Sequence, residues 1–399
     1  MKIYIFMTAN IHKLGGAQRY VQLKTEYLKK MGWSVLVFST CEKSGKCAIP
    51  ALDEFLKYGR RTLRLPPFLW PSIFRNIILK GLIKDVRSMG NAEKIIIESH
   101  ADTTSQWGEL LAEQIGAKHI CFITREYFRG VGSFYSSKIE FYMFKHKRRE
   151  LAGISKSSLS MLFDGYMEVA DEECYTLKAC GSNEAVKDIV SPEVESIPKR
   201  DFNIGYIGRG DKGYVPNIIL GVAEFAQNHE DKEINFITVG DINSKNDLIT
   251  QYLDKKKNLN VICMGNMLPI PRCLYEKLDV VIAGAGCANC SAYEKTYTIV
   301  ADAQNFKANG LFGYDTFNIF YSENYEKQMS FCEALERVLI ERYYEGMQCL
   351  LPERVDVEVV YKKHFNFIDN SDSVLEYYDR KELCSYNKNL NILFELCAR

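Results

Sequence analysis

The sequence predicts an α/β protein made of two Rossmann-like halves, and three observations carry that expectation. At 399 residues the chain is longer than one hydrophobic core usually organises, so two domains of roughly 150–200 residues are expected. Short apolar runs alternate with stretches of helical periodicity in both halves, the pattern of parallel strands joined by crossover helices. Between the halves, Val186 to Phe202 carries Pro192 and Pro198 among scattered charges without a clean period, and it reads as a linker.

In chain order, Lys2 to Met7 reads as a buried parallel strand, followed by a loop ending in Gly15 and Gly16. Ala17, Tyr20, Val21, Tyr27, Leu28 and Met31 then recur at helical spacing, Gly32 stops that helix, and Ser34 to Ser39 supplies a second strand. The pattern returns as strand Lys94 to Glu98, helix Ser105 to Ile115 stopped by Gly116, and strand His119 to Thr124. Beyond the linker come strand Asn203 to Ile207, helix Val215 to Gln227, strand Ile234 to Val239 and a charged helix near Asp247 to Lys257. Strands Asn260 to Met264, Leu278 to Ala283 and Thr298 to Val300 complete the second alternation. The expected domains are residues 1–190 and 191–365, with a C-terminal helical segment, 366–399, packing back on the first.

Composition removes several function classes. Lys plus Arg and Asp plus Glu both number 51, a formal net charge of +0, so a chain that wraps nucleic acid through bulk charge is not expected. Apolar residues at 47% and charged residues at 26% are normal for a folded domain and far from a disordered composition. No apolar run approaches the roughly 20 residues that span a bilayer. The N-terminus has no small-residue cleavage site, and the 13 cysteines follow no repeating frame, so a reducing cytoplasm is the expected setting.

Gly15 and Gly16 open the first helix. Paired glycines let backbone approach an anion closely where a helix N-terminus offers unpaired N–H groups. The same pair also suits a tight strand-to-helix turn with no ligand, and the loop lacks the G-x-G-x-x-G spacing of a dinucleotide site. A sharper pattern is Ile204-Gly205-Tyr206-Ile207-Gly208-Arg209-Gly210-Asp211-Lys212-Gly213, a strand running into a glycine-rich loop with two cations three residues apart. At a strand's carboxyl end, the Arg209 fork and the Lys212 point charge can converge on a diphosphate. An exposed turn with solvated charges is the bland alternative.

A Gly-Gly loop after the first strand, a later strand leading into G-R-x-x-K-G, and then a small-residue loop and helix together resemble the GT-B-fold glycosyltransferases. The likeness runs from Lys2 to about Phe320 and is greatest to the retaining family 4 enzymes of capsular, exopolysaccharide and cell-wall glycan synthesis. It implies two Rossmann-like domains with a donor cleft between them. Arg209 and Lys212 would hold the pyrophosphate of a nucleotide-sugar donor, with Gly15 and Gly16 beside it, and the sugar would pass to a saccharide or lipid-linked acceptor with its anomeric configuration kept. No cofactor and no obligatory metal are implied, the nucleotide sugar being a substrate, and the chain has no D-x-D signature.

One departure concerns two glutamates that family 4 enzymes carry eight positions apart, just before a short strand. Counting back from Thr298-Ile299-Val300 places Ala283 and Ser291 there. The intervening turn, A-G-A-G-C-A-N-C-S, opens a helix whose backbone N–H groups around Gly286, with the Ser291 hydroxyl, are candidates for holding a phosphate or sugar hydroxyls. Glu294, one helical turn on, is a candidate replacement carboxylate or a plain surface glutamate. Cys287-x-x-Cys290 in this turn has no second Cys or His pair nearby at ligand spacing, so close packing explains it better than redox or metal chemistry.

In the first half, His100 follows the strand Lys94 to Glu98 and would face the cleft; by the resemblance, a His of this region contacts the donor sugar, and a satisfied loop histidine is the alternative. Glu126, after the strand His119 to Thr124, is a candidate to orient or deprotonate an acceptor hydroxyl. From Ala51 to Gly90, Lys57, Arg60, Arg61, Arg64, Arg75, Lys80, Lys84 and Arg87 outnumber Asp53, Glu54 and Asp85 and are interleaved with Phe68, Trp70, Ile73, Phe74 and Ile77. That mixture suits peripheral association with an anionic membrane face, and equally a core-packed helix with a solvated basic side. Two competing classes stay open: a non-catalytic GT-B-like partner or saccharide-binding protein, which the missing glutamates favour, and a nucleotide-dependent oxidoreductase, which the absent dinucleotide fingerprint disfavours.

Overall fold

The computed structural model describes residues 1–9, 11, 14–40, 47–57, 61–124, 139–163, 169, 175–180, 186–322 and 325–385. The chain forms two compact units, Met1–Cys180 with Val357–Arg399, and Gly181–Asp356.

The first unit contains β1 (Lys2–Thr8), α1 (Gly16–Lys30), β2 (Trp33–Ser39), β3 (Leu56–Lys57), α2 (Ser72–Arg87), β4 (Lys94–Ser99), α3 (Asp102–Ile115), β5 (Lys118–Ile123), α4 (Ile139–Lys147), β6 (Leu151–Gly153) and α5 (Lys156–Phe163). Its six strands lie in the order β3-β2-β1-β4-β5-β6, and each neighbouring pair is parallel. Ile3 to Met7 on β1 are fully buried, as a central parallel strand covered on both faces requires. Gly116 closes α3 in the left-handed region (φ 65°), where its missing side chain avoids strain.

The second unit contains β7 (Val186–Lys187), α6 (Pro192–Glu195), β8 (Phe202–Ile207), α7 (Val215–Asn228), β9 (Ile234–Val239), α8 (Asn246–Tyr252), β10 (Leu259–Cys263), β11 (Ile270–Pro271), α9 (Arg272–Lys277), β12 (Val280–Ala283), α10 (Ala285–Tyr293), β13 (Tyr297–Ala301), β14 (Ala308–Leu311) and α11 (Phe331–Leu335). Its main sheet runs β10-β9-β8-β12-β13-β14, parallel except at the β13–β14 edge. The strands alternate between two cores. Ile204, Tyr206, Phe236 and Ile282 pack with Ile218, Ile219, Val222 and Phe225 of α7. Ile207, Ile237, Val281 and Val300 pack with Leu274, Ala288 and Ala292 on the other face. Burying each large side chain contributes roughly 1.5–3 kcal/mol, so helices on both faces stabilise one sheet.

The expected linker is corrected. Val186 on β7 pairs with Ile270 on β11, and Val186, Val194 and Ile197 are buried in the second unit's core, so residues 186–202 are packed structure and not a tether. The return to the first unit begins with α12 (Val357–Asp369), where the Tyr361 hydroxyl donates to Ala179 O and His364 Nε2 to Lys178 O. The units thus divide at 180/181 and 356/357, where residues 190/191 and 365/366 were expected. A short α13 (Arg380–Cys384) follows. Among the described residues no helix is long and apolar enough to cross a membrane.

Candidate functional site

In each sheet the chain builds outward from one strand, then crosses back to start the other side. The reversal lies between β1 and β4 in the first unit and between β8 and β12 in the second. Open α/β sheets bind ligands outside the carboxyl ends of the strands at such reversals, because the two flanking loops diverge there and leave a crevice.

At the second unit's reversal, the loop after β8 carries Arg209 and Lys212, and the loop after β12 leads into α10. Backbone bonds build the first loop: Gly208 N–H donates to Val239 O (2.9 Å) and Gly210 N–H to Asp241 O (2.8 Å), while the Tyr206 hydroxyl donates to Arg209 O (2.8 Å). A Cβ on Gly210 would stand 2.7 Å from Asp241 O and 2.8 Å from Ile242 Cα, so only glycine lets this loop lie on the end of β9. Gly240, at φ +121°, has the same constraint, since a Cβ there would overlap Gly208 O. The glycines therefore fix the loop, and the two cations project from a rigid base. Arg209 Nε lies 3.1 Å from Asp211 Oδ1, with both side chains about two-fifths exposed (40% and 44%). An ion pair that wet is worth only about 0–1 kcal/mol, so a doubly charged phosphate can displace the carboxylate.

Gly284 precedes α10, and no side chain caps that helix or places an acid in its first turn. A Cβ on Gly284 would approach the Tyr214 hydroxyl to 3.1 Å, and Tyr214 is the residue preceding α7. Ala283 pairs with Ile207, so the Arg209–Lys212 loop and the start of α10 leave the sheet side by side, and the α10 dipole adds positive potential there. A side chain at Gly286 would meet nothing within 4 Å. Ala285, at φ +52°, holds a left-handed conformation that is costly for a residue with a Cβ; its N–H donates to Ile319 O at 2.7 Å.

Two candidates in this unit are corrected. Ser291 is fully buried and its hydroxyl donates to Cys287 O (2.9 Å), so it serves the helix instead of facing a ligand. Glu294 lies at the C-terminal end of α10, roughly 13 Å along the helix from its start, and pairs with Arg272 Nε at 2.8 Å. It cannot stand in for a carboxylate at the strand ends. Ala283 is the buried last residue of β12. Cys287 and Cys290 are partly buried against the core.

At the first unit's reversal, Gly15 precedes α1 with extended backbone (φ −179°) and no side-chain cap. A Cβ on Gly16 would enter open space, so the local fold does not demand glycine there. His100, on the loop after β4, is only 3% exposed. Its ring packs among Phe6, Tyr20 and Phe122, and Nε2 lies 2.8 Å from Glu98 Oε1. This corrects the expectation of a histidine facing outward from the sheet edge. Glu126 lies outside the described residues.

Sequence reasoning missed the network that holds His100. Glu98 accepts from the Tyr4 and Tyr20 hydroxyls (2.6 Å each) and from Lys24 Nζ (2.5 Å). Lys24 also donates to the Tyr20 hydroxyl at 2.9 Å and reaches His364 Nδ1 at 3.3 Å, so all three ammonium protons are placed. Burial alone would raise the Glu98 carboxyl, but Lys24, His100 and His364 hold it well below the usual carboxylate range. An ionised Glu98 can only accept, so His100 carries its proton on Nε2. Burial and the neighbouring Lys24 push His364 down to about 3.

That shift has a sign. Below the ordinary His value the unfolded chain takes up a proton that folded His364 refuses, so stability falls as pH drops from about 6.5 toward 3. We expect His364 to account for on the order of 2 kcal/mol of lost stability between pH 7 and 5. Urea titrations should show His364→Gln with a flatter stability–pH slope than the native chain; equal slopes would refute it. The Glu98 contribution is present above the ordinary carboxylate pKa and is lost only in stronger acid, which separates the two windows.

A second buried cluster has the geometry of a nucleophile, base and orienting acid: Ser99 Oγ is 2.9 Å from His119 Nε2, and His119 Nδ1 is 2.6 Å from Glu109 Oε2. Burial would raise the Glu109 carboxyl, yet Lys145 and His119 bring it to about 2. Helix α3 closes the cluster, because a Cβ on Gly108 would overlap Ser99 Oγ and stand 2.6 Å from His119 Nε2. No acyl group fits over that hydroxyl, and the triad ties α3, β4 and β5 together.

Two doubly wound units in one chain, each with candidate ligand loops at its reversal, define the GT-B fold. Neither a protein-family profile nor a curated protein sequence matches the chain. Solved structures do. HepE from Anabaena, in complex with UDP, aligns over 92% of this chain and 100% of its own at 13% identity (TM-score 0.58). A glycosyltransferase from Rickettsia africae aligns over 99% of both chains at 16% identity (TM-score 0.56). The UDP-GlcNAc 2-epimerase from Neisseria meningitidis, bound to UDP-GlcNAc, aligns over 93% of this chain and 100% of its own at 12% identity (TM-score 0.50). At these identities the likeness is one of fold.

Proposed function

We propose that this chain is a glycosyltransferase that binds a nucleoside-diphosphate sugar at the β8/β12 reversal and transfers the sugar, with retention, to a saccharide or lipid-linked acceptor of cell-surface glycan synthesis. The observation that carries the reading is the Arg209–Lys212 loop lying beside the N-terminus of α10 at neighbouring strand ends, which concentrates positive potential where a diphosphate would sit. The UDP and UDP-sugar complexes among chains of this fold support the choice of ligand. Arg209 would grip two phosphate oxygens, Lys212 would add a point charge, and backbone N–H groups near Gly286 would complete the cradle. Such a set neutralises the leaving diphosphate without an added metal, and that diphosphate can take the acceptor proton as the bond to the sugar breaks.

Calorimetry with UDP, GDP and ADP in the presence of a chelator should show saturable binding of at least one nucleotide, and a thermal-shift screen of nucleotide sugars should single out the donor. Absence of binding by every nucleotide would refute the assignment. Burial of Ser291 and pairing of Glu294 with Arg272 favour one second reading, a non-catalytic partner. Binding without turnover on any acceptor extract would select it, and conversion of the nucleotide sugar to an epimer without acceptor would select an epimerase.

A further inference from the structure

Helix α2 buries one side; on the other, Arg380 reaches Asn76 Oδ1 at 3.1 Å, and the neighbouring apolar side chains stay exposed. Leu79, Leu82 and Val86 face the core, and Arg75 folds back to donate to Pro67 O and Trp70 O. On the outer side Ile73, Phe74 and Ile77 are 72%, 55% and 59% exposed, whereas Trp70 is half-buried. At 100° per residue, Ile73, Ile77, Lys80, Lys84 and Arg87 fall within an arc of about 80°. One stripe therefore begins apolar and ends in three exposed cations, and among the described residues none of the three makes an ion pair.

We infer that this stripe docks on an anionic lipid surface. The order of residues matters: Ile73, Phe74 and Ile77 occupy the first turn and a half, so that end enters the acyl boundary, while Lys80, Lys84 and Arg87 lie along the headgroups. The helix thus meets the membrane obliquely, tip first. Three cations in line, with the one acid of the helix, Asp85, turned about 100° away from Lys84, complement a sheet of phosphodiesters, whereas a protein partner for so apolar a tip would not need them. The inference is independent of the donor reading, because docking requires neither nucleotide nor turnover.

The test is co-sedimentation of the full chain with vesicles of phosphatidylcholine alone and of phosphatidylcholine mixed with phosphatidylglycerol. Binding to the anionic vesicles should exceed binding to the neutral ones by about tenfold or more and weaken as salt rises. Lys80→Gln, Lys84→Gln and Arg87→Gln together should remove that preference, and Ile73→Ser with Ile77→Ser should lower binding more than about tenfold. All five side chains point outward, so thermal melting should not change, and a melting control reports any misfolding. Equal binding to both vesicle types, no binding, or vesicle binding by the Ile73→Ser/Ile77→Ser variant at the native level would overturn the inference. So would self-association by ultracentrifugation that this variant abolishes, since the stripe would then serve a second copy of the chain.

Discussion

Replacing Lys24 with methionine should destabilise the first unit by roughly 3–5 kcal/mol, the range expected when one partner of a buried ion pair is removed. Lys24 and Glu98 are 0% and 1% exposed, so water cannot replace the lost ammonium. Glu98 would keep the Tyr4 and Tyr20 hydroxyls and His100, but its negative charge would face no permanent cation. The carboxyl would then rise from its depressed value as burial reasserts itself. Adding Glu98→Gln should recover much of the loss, because the glutamine oxygen still accepts from one tyrosine, its amide N–H can donate to the other hydroxyl, and it carries no charge to strand. The double variant would then be more stable than the sum of the single effects by about 2 kcal/mol or more. Urea unfolding followed through the first unit's transition measures all three. A single Lys24→Met variant within about 0.5 kcal/mol of the native chain, or strict additivity, would show that the pair contributes nothing specific.

The sequence made the two α/β alternations legible because parallel strands buried on both faces read as continuous apolar runs; β1, β8, β9 and β13 fall where their patterns put them. The glycine-rich loop after β8 was legible too, since Gly208, Gly210 and Gly213 are a local sequence signal, and Gly210 answers to a close backbone approach. What failed depended on partners far away in the chain. Val186, Val194 and Ile197 looked like linker because their core mates, Ile270 and Leu274, come some 80 residues later. Ser291 and Glu294 could be placed on a helix by spacing, but burial of one and the Arg272 pairing of the other are tertiary facts. Polar groups were the hardest. Glu98 on β4, Lys24 and Tyr20 on α1, and His364 on α12 come from three separated stretches, and nothing local marks an apolar-flanked Glu on β4 as the centre of a buried network. One signal was available: a Lys at a position of α1 that helical spacing from Tyr20 turns inward, where a cation stays only if paired.

Replacing both Arg209 and Lys212 with alanine should weaken nucleoside-diphosphate binding by at least about a hundredfold while leaving stability nearly unchanged. The first part follows from losing two charge-assisted contacts worth about 1.5–3 kcal/mol each, with every 1.4 kcal/mol a factor of ten. The second follows from exposure: among the described residues Arg209 pairs with the wet Asp211 carboxylate, and the loop is held by the backbone bonds of Gly208 and Gly210, which neither substitution touches. Arg209→Lys should fall between, keeping charge but losing the fork that grips two oxygens at once. Asp211→Asn tests the arrangement from the other side. If Asp211 occupies Arg209 only until a phosphate arrives, removing its charge should leave nucleotide binding intact or tighten it by a few-fold. If instead Asp211 orients Arg209 toward the ligand, the same change should weaken binding. Calorimetry on the three variants separates these outcomes, and native-level affinity in the Arg209→Ala/Lys212→Ala chain would remove the diphosphate from this loop altogether.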